Sequence, residues 1–302
     1  MTAPDSGPRV ARVEVPVDTR APGGTTNAYL AAGLLVDPAA RTDALDAAVG
    51  VGGAGERGRK RVGDGEPESV AVDAIAVTHT HPDHVGAVAA YAEQTGVPVF
   101  AHADHVDRFA RATGVEPDGT FRDGDRVGDT PVRAVETPGH APDHVAFAVA
   151  SAGERGDESA DGDAADGGPR DLLCGDLTVA EGSVVVGAPD GDLRAYLGSL
   201  ERVRDTGYGR LYPGHGPAIN DAESACQRLI DHRADRERAV LDAVDAGADG
   251  VDAVVAGAYE KDLTGVADLA RATVVAHLEK LLAEERIAPE WSDRIGSDSG
   301  DE

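Results

Sequence analysis

Residues 78–87 read THTHPDHVGA and place three histidines and one aspartate within six positions. The run before them, VDAIAVTHTH (72–81), is apolar at strand length, and DHVGAVAAYAEQTG (83–96) has helical spacing and stops at a glycine. Side chains alternate along an extended chain, so His79 and His81 project from one face of the strand's end, while Asp83 and His84 sit on the turn into the helix. One loop of that kind can feed two neighbouring metal ions. Imidazole and carboxylate suit zinc, and a catalytic site leaves one position open for water. Four residues alone fit a solvated histidine cluster as well, so the rest of the chain has to decide.

Three further candidates stand in similar settings: His140 in TPGHAPDH (137–144), Asp176 in LLCGDL (172–177) and His215 in LYPGHGP (211–217). Each follows a short apolar strand beside Gly or Pro, which is how a ligand is presented on a rigid loop. Five histidines and two aspartates then make a complete binuclear set. Of the remaining histidines, His144 lies four residues past His140, where the chain turns into the next strand, and is a candidate catalytic residue that touches substrate or supports a ligand. His102 and His105 fall on a charged segment read as helix and are expected to be solvated. Cys174 is expected in the core.

Around these motifs, RVARVEVPVDTR (9–20) and TTNAYLAAGLLVD (25–37) read as opening strands with Gly23 and Gly24 as the turn between them. RTDALDAAV (41–49) reads as a short helix, followed by strands at VPVFA (97–101), PVRAVETPGH (131–140), HVAFAVAS (144–151) and DLLCGDL (171–177), with a helix over 102–114. This order indicates a mixed α/β domain with sites at strand ends. Residues 50–69 and 151–171 are Gly- and charge-rich without periodicity and are expected to be flexible surface insertions. The basic cluster Arg57, Arg59, Lys60 and Arg61 lies in the first and reads as solvated loop. From 221 to 286 the chain is nearly continuous helix with breaks at Gly247, Gly250 and Gly265.

The 302 residues suit one large domain, residues 1–220, a smaller helical one, 221–290, and an acidic flexible tail, 291–302. Acidic residues outnumber basic ones 55 to 28 for a formal charge of -27, and only Lys60, Lys261 and Lys280 are lysines. Spread along the whole chain, such charge is tolerable where salt screens it, which points to a highly saline cytoplasm. Two cysteines without CxxC spacing give no disulfide framework. MTAPDSGPRV has no basic-then-apolar leader, and no run approaches a membrane span, so a soluble cytoplasmic protein is expected.

The ordered set HxHxDH, PGH, GD and PGHG resembles the metallo-β-lactamase superfamily over roughly residues 10–220. The resemblance implies an αββα sandwich, two mixed sheets with helices on both outer faces. It also implies that His79, His81 and His140 hold a first zinc ion, that Asp83, His84 and His215 hold a second, and that Asp176 bridges them, with manganese or iron as alternative metals. A hydroxide shared by two such ions is available near neutral pH for attack on a carbonyl or phosphoryl group, and Asp83 is the residue expected to orient it. Asp37, in LLVDPAAR, stands where the superfamily often has Asp followed by Thr or Ser and Gly; here Pro38 and Ala39 follow, which touches loop geometry beside the site and leaves the seven ligands intact.

The C-terminal stretch is similar to the lactamase-beta-2-like branch, whose hydrolase core carries a winged-helix-like domain. Animal members of that branch resemble single-strand endoribonucleases, and microbial relatives are described as hydrolases or glyoxalase II-like thioesterases. The expected activity is hydrolysis of a phosphodiester, single-stranded RNA included, with thioester or small-ester hydrolysis as the alternative. The third helix mixes Arg271, Lys280 and Arg286 with Asp268, Glu279, Glu284 and Glu285 and offers no basic track for RNA, although molar salt would make such a track matter little. A non-enzymatic winged-helix binding protein with structural metal is disfavoured by an open seven-ligand set, and redox chemistry on iron by the intact HxHxDH run. Specificity is expected from loops at 20–27, 50–69 and 178–192.

Overall fold

In β2 (Thr25–Ala31), Ala28 and Leu30 face one apolar cluster while Tyr29 and Ala31 face another. That alternation, repeated in strand after strand, sets the layers of the molecule. The computed structural model describes residues 10–51, 71–149 and 170–297. The expected insertions lie almost wholly outside the described residues; of their edges, Gly50 caps a helix and Asp171 opens a strand.

The first sheet runs β1-β2-β3-β4, with β1 (Ala11–Pro16) antiparallel to β2, β2 antiparallel to β3 (Leu34–Val36), and β3 parallel to β4 (Ala74–Ala76). A parallel pair, β5 (Phe100–His102) and β6 (Gly119–Phe121), continues it through a bridge from Ile75 to Val99. On its outer face pack α1 (Asp43–Val49), α3 (Val88–Thr95) and α4 (Val106–Thr113), through Leu45, Val88, Tyr91 and Phe109. The short α2 (Pro82–Val85) precedes α3.

The second sheet is ordered β10-β9-β8-β7, from β7 (Arg133–Glu136), β8 (Val145–Val149), β9 (Asp171–Gly175) and β10 (Arg210–Pro213). Val145, Phe147 and Val149 of β8 point to the first sheet, whereas Ala146 and Ala148 point to the helices outside. Those helices are α5 (Leu193–Thr206) and the first half of α6 (Ala222–Asp245). The architecture is the αββα sandwich. Cys174 is buried in its outer cluster, as expected of a core residue. The helix α5 has no counterpart among the elements read from the sequence, although its signals are there: Asp192 accepts from the backbone of Arg194 and Ala195, Gly207 ends the helix at φ 78°, and Leu193, Tyr196, Leu200 and Val203 share one face.

The chain ends in a helical unit of α6, α7 (Val251–Ala258), α8 (Ala267–Ala283) and α9 (Trp291–Ser297). Ala222, Cys226 and Leu229 of α6 pack on the sandwich while Val240 and Ala243 pack on α7 and α8, so one helix of 24 residues serves both units. Described residues 221–297 contain no strand, so the helices expected there are present, but no strand that could form a wing lies among the described residues. Residues 291–297, expected to begin a flexible tail, instead form α9, because Trp291 finds an apolar seat with Ile287 and Leu281. No described helix is long and apolar enough to cross a membrane.

Candidate metal centre

Every expected ligand follows the C-terminal end of a strand: His79 and His81 after β4, His140 after β7, Asp176 after β9 and His215 after β10, with Asp83 and His84 in α2. The sandwich fixes these ends to one another. Val145 donates its N–H to the Thr78 carbonyl at 2.8 Å, joining the two sheets beside the cluster, and Gly214 donates to the Gly175 carbonyl at 2.8 Å. The Asn27 amide donates to the carbonyls of Pro213 and Gly216 at 2.9 and 2.8 Å, pinning the PGHG turn to β2.

The structure brings all seven residues together. His79 Nε2 and His140 Nε2 each lie 3.0 Å from His81 Nδ1, close to the separation of about 3.3 Å that nitrogen ligands adopt around a tetrahedral zinc with bonds near 2.0–2.1 Å. A second group is Asp83, His84 and His215, with Asp83 Oδ2 3.4 Å from His215 Nε2 and 3.9 Å from His84 Nε2. Asp176 stands between them: one oxygen is 3.6 Å from His84 Nε2, and the other is 3.6 Å from His140 Nε2 and 3.4 Å from His215 Nε2.

Three atoms in this cluster are buried without a hydrogen-bond partner, namely His84 Nε2, His215 Nε2 and Asp176 Oδ1. Leaving buried polar atoms unpaired is costly, and all three aim at the same space, so the donor set fits metal ions. Gly214 keeps that space clear, since a Cβ there would lie 2.4 Å from Asp176 Oδ1 and 2.7 Å from His84 Cε1. The electrostatics agree. Burial pushes the Asp176 carboxyl up, yet the rings of His84, His215 and His140 hold it well below the usual range. Burial likewise opposes charge on His215, but Asp176 and Asp83 more than offset it and raise its pKa to about 10. His84 is raised against burial by Asp37 and Asp176, whereas burial and the neighbouring imidazoles keep His79 neutral. The cluster therefore attracts positive charge, which protons or metal cations can supply.

Each candidate ligand ring is also held from behind. Asp37 accepts from Thr78 N at 2.7 Å, from Thr78 Oγ1 at 2.8 Å and from His84 Nδ1 at 3.0 Å, and Thr78 Oγ1 meets His79 Nδ1 at 3.1 Å. Asp37 thus acts on the rings directly, beyond the loop-geometry effect read from the sequence, and its backbone sits at φ 53°, a rare conformation for a side-chain-bearing residue. His140 Nδ1 donates to the Val185 carbonyl and His215 Nδ1 to the Thr25 carbonyl, both at 2.8 Å. His81 Nε2 is 3.6 Å from Asp190, which Arg108 grips through both of its oxygens. Neither Arg108 nor Asp190 carried a sequence signal, because 82 residues separate them.

His144 lies behind the ligands, fully buried. Its Nδ1 donates to the Thr137 carbonyl at 2.9 Å and its Nε2 accepts from Asp176 N at 3.1 Å, while burial pushes its pKa down to about 3. His102 and His105 are not the solvated helix residues expected. His102 ends β5 and pairs with Glu136 Oε1 at 2.9 Å, and His105 is the half-buried residue before α4.

Residues 22–153 match the family model of the metallo-beta-lactamase superfamily. A beta-lactamase-like protein 2 homolog from Caenorhabditis elegans is 28% identical over 176 residues, 56% of this chain and 51% of that protein. A protein named thioesterase pkgB from Emericella nidulans is 31% identical over 58% of this chain and 43% of its own length. Among solved structures, a metallo-beta-lactamase family protein from Thermus thermophilus superposes with a TM-score of 0.63 at 24% identity, over 92% of this chain and 95% of that one. Residues 22–153 thus resemble the metallo-β-lactamase superfamily, and the chain shares the fold of that solved family member. The chain is similar to beta-lactamase-like protein 2 homologs, with the match spanning about half the length of those curated relatives.

Proposed function

We propose that the chain is a hydrolase that works with two divalent cations, and the observation that carries this is the convergence of seven donors, three of whose buried atoms have no other partner. His79, His81 and His140 would hold one ion, Asp83, His84 and His215 the other, and Asp176 would reach both. The mix of imidazole and carboxylate suits zinc first, with manganese or iron as alternatives. When bound, such a pair supplies a water that ionises near neutral pH and positive charge to polarise the group under attack. The chain's own residues do the rest. Asp83, whose Oδ2 lies 3.4 Å from His215 Nε2, would accept a proton and orient the attacking water, and Asp37 and the carbonyls of Thr25 and Val185 fix the rings. His144 accepts the backbone N–H of Asp176 and is buried, so it would position Asp176 rather than meet substrate.

For the substrate, the names of two relatives, thioesterase pkgB and an atrochrysone carboxyl ACP thioesterase, favour a thioester. The surface charge of -27 also suits a small substrate better than a polyanion. A phosphodiester, including single-stranded RNA, is the second reading, favoured by the resemblance to the lactamase-beta-2-like branch and by a site chemistry that serves phosphoryl as well as carbonyl groups. Structural metal in a binding protein fits less well, because a closed structural site needs only four ligands. The same charge leads us to infer a protein adapted to a saline cytoplasm.

The test is a panel of thioesters, bis-p-nitrophenyl phosphate and single-stranded RNA, run in high salt on metal-loaded protein whose metal content has been measured. Thioester turnover well above that of the phosphodiesters is expected. RNA cleavage as the leading activity would replace the thioester reading, and a folded protein that binds no metal would end both.

A further inference from the structure

Residues 177–190 form an irregular strap that crosses from Asp176 to the start of α5. Tyr196 Oη of α5 donates to the Leu177 carbonyl at 2.9 Å. Arg228 of α6 then donates to the Val179 carbonyl at 2.5 Å and the Gly182 carbonyl at 2.6 Å from two different nitrogens. Arg233 of α6, buried and lying 5.6 Å from the Tyr196 ring centroid, donates to the Val184 carbonyl. The next carbonyl, that of Val185, receives His140 Nδ1, and five residues on Asp190 faces His81. The Ala188 N–H donates to Ala272 of α8 at 3.2 Å. Two of the three rings in the first group are thus backed by one strap, and α6 grips it.

We infer that Arg228 and Arg233 are positioning residues for the ion held by His79, His81 and His140, acting through this strap; the inference rests on the two-ion reading above. An irregular segment has no ladder of its own to satisfy its carbonyls, and a planar guanidinium can bond several at once from a fixed fork. Releasing the strap lets the Val185 carbonyl drift, and a ring that loses its rear partner binds metal more weakly, typically by about 10–100-fold. The other group is unaffected by this route, because His84 and His215 lean on Asp37 and Thr25.

The direction of the effect separates positioning from charge. Removing a cation near a metal site strengthens metal binding by electrostatics alone, whereas a lost support weakens it. The experiment measures metal equivalents after dialysis, together with the visible spectrum of the cobalt-loaded protein, for wild type, Arg228→Ala, Arg228→Lys and Arg233→Met. Helix content is followed by circular dichroism. Wild type should keep two equivalents. Arg228→Ala should keep close to one at unchanged helix content, and Arg228→Lys should fail to restore the second, since one ammonium cannot span both carbonyls. In a His140→Ala background, Arg228→Ala should cause no further loss. If Arg233→Met does not fold, Arg228→Ala decides. Two tightly held equivalents in folded Arg228→Ala, or affinity that rises, overturns the inference and leaves the two-ion reading standing. Fewer than two equivalents in wild type overturns that reading and the inference with it.

Discussion

The two groups of candidate ligands differ less in their donors than in what stands behind them. His84 and His215 lean on Asp37 and the Thr25 carbonyl, both at strand ends inside the first sheet. His81 and His140 lean on Asp190 and Val185, in a strap fastened from outside by α4 and α6. One half of the site is therefore built into the sandwich and the other is suspended from helices around it. A core strand opens only with global unfolding, whereas an irregular strap can loosen locally, so the suspended half should be the first to fail.

Removing what the halves share should have the largest effect. Asp176→Ala takes an oxygen from both groups, so hydrolysis should fall by more than about a hundredfold with circular dichroism largely unchanged. A variant that keeps one ion and most of its activity would show that Asp176 does not join the halves. Asp37→Ala should come next. It leaves the buried Thr78 N–H and His84 Nδ1 without partners, at about 1–3 kcal/mol for each unsatisfied group, and should weaken metal binding by about 10–100-fold. Isothermal titration with zinc and urea melts would check both, and equal loss of the two ions would blur the contrast between the halves.

Acid should strike the suspended side. His277 of α8 is buried with neither ring nitrogen hydrogen-bonded, and burial, then Arg233 and Lys280, push its pKa down to about 3. A depressed pKa means that the unfolded chain takes up a proton that the fold refuses, so this contribution is full above an unfolded value of about 6.5 and is lost as pH falls towards 3. The slope is at most about 1.4 kcal/mol per pH unit. His277→Met should flatten the acid limb of urea stability measured between pH 7 and 4, and an unchanged limb would clear His277. The smallest effect should be general. With a net charge of -27, raising salt from near zero to molar should lift the melting midpoint by about 2–4 °C for each kcal/mol of repulsion relieved, and melts flat with salt would refute the saline adaptation.

The candidate ligands of both halves were legible in the sequence. THTHPDH places four ligands on one loop, and His140, Asp176 and His215 each announce themselves by a short apolar strand and a Gly or Pro beside it. The supports were not readable, because they are pairings across the fold. Asp37 meets Thr78 at 41 residues' separation and Arg233 meets Val184 at 49, and an arginine on a charged helix looks the same whether it serves solvent or a carbonyl. The missed α5 is a different matter, since its cap and its apolar face were in plain view. The lack of a strand among described residues 221–297 shows that a run of helices carries little information about what lies between them.

Gly214 has a consequence for heredity. Every substitution begins with a Cβ, and at this position the first carbon would already overlap Asp176 and His84. A glycine codon is one base from alanine, serine or valine, and all of these would intrude upon the same two ligands. Lineages that keep the chemistry must therefore hold this position fixed while the surrounding loops drift, so new specificities in descendants of this chain would arise around the turn and not within it.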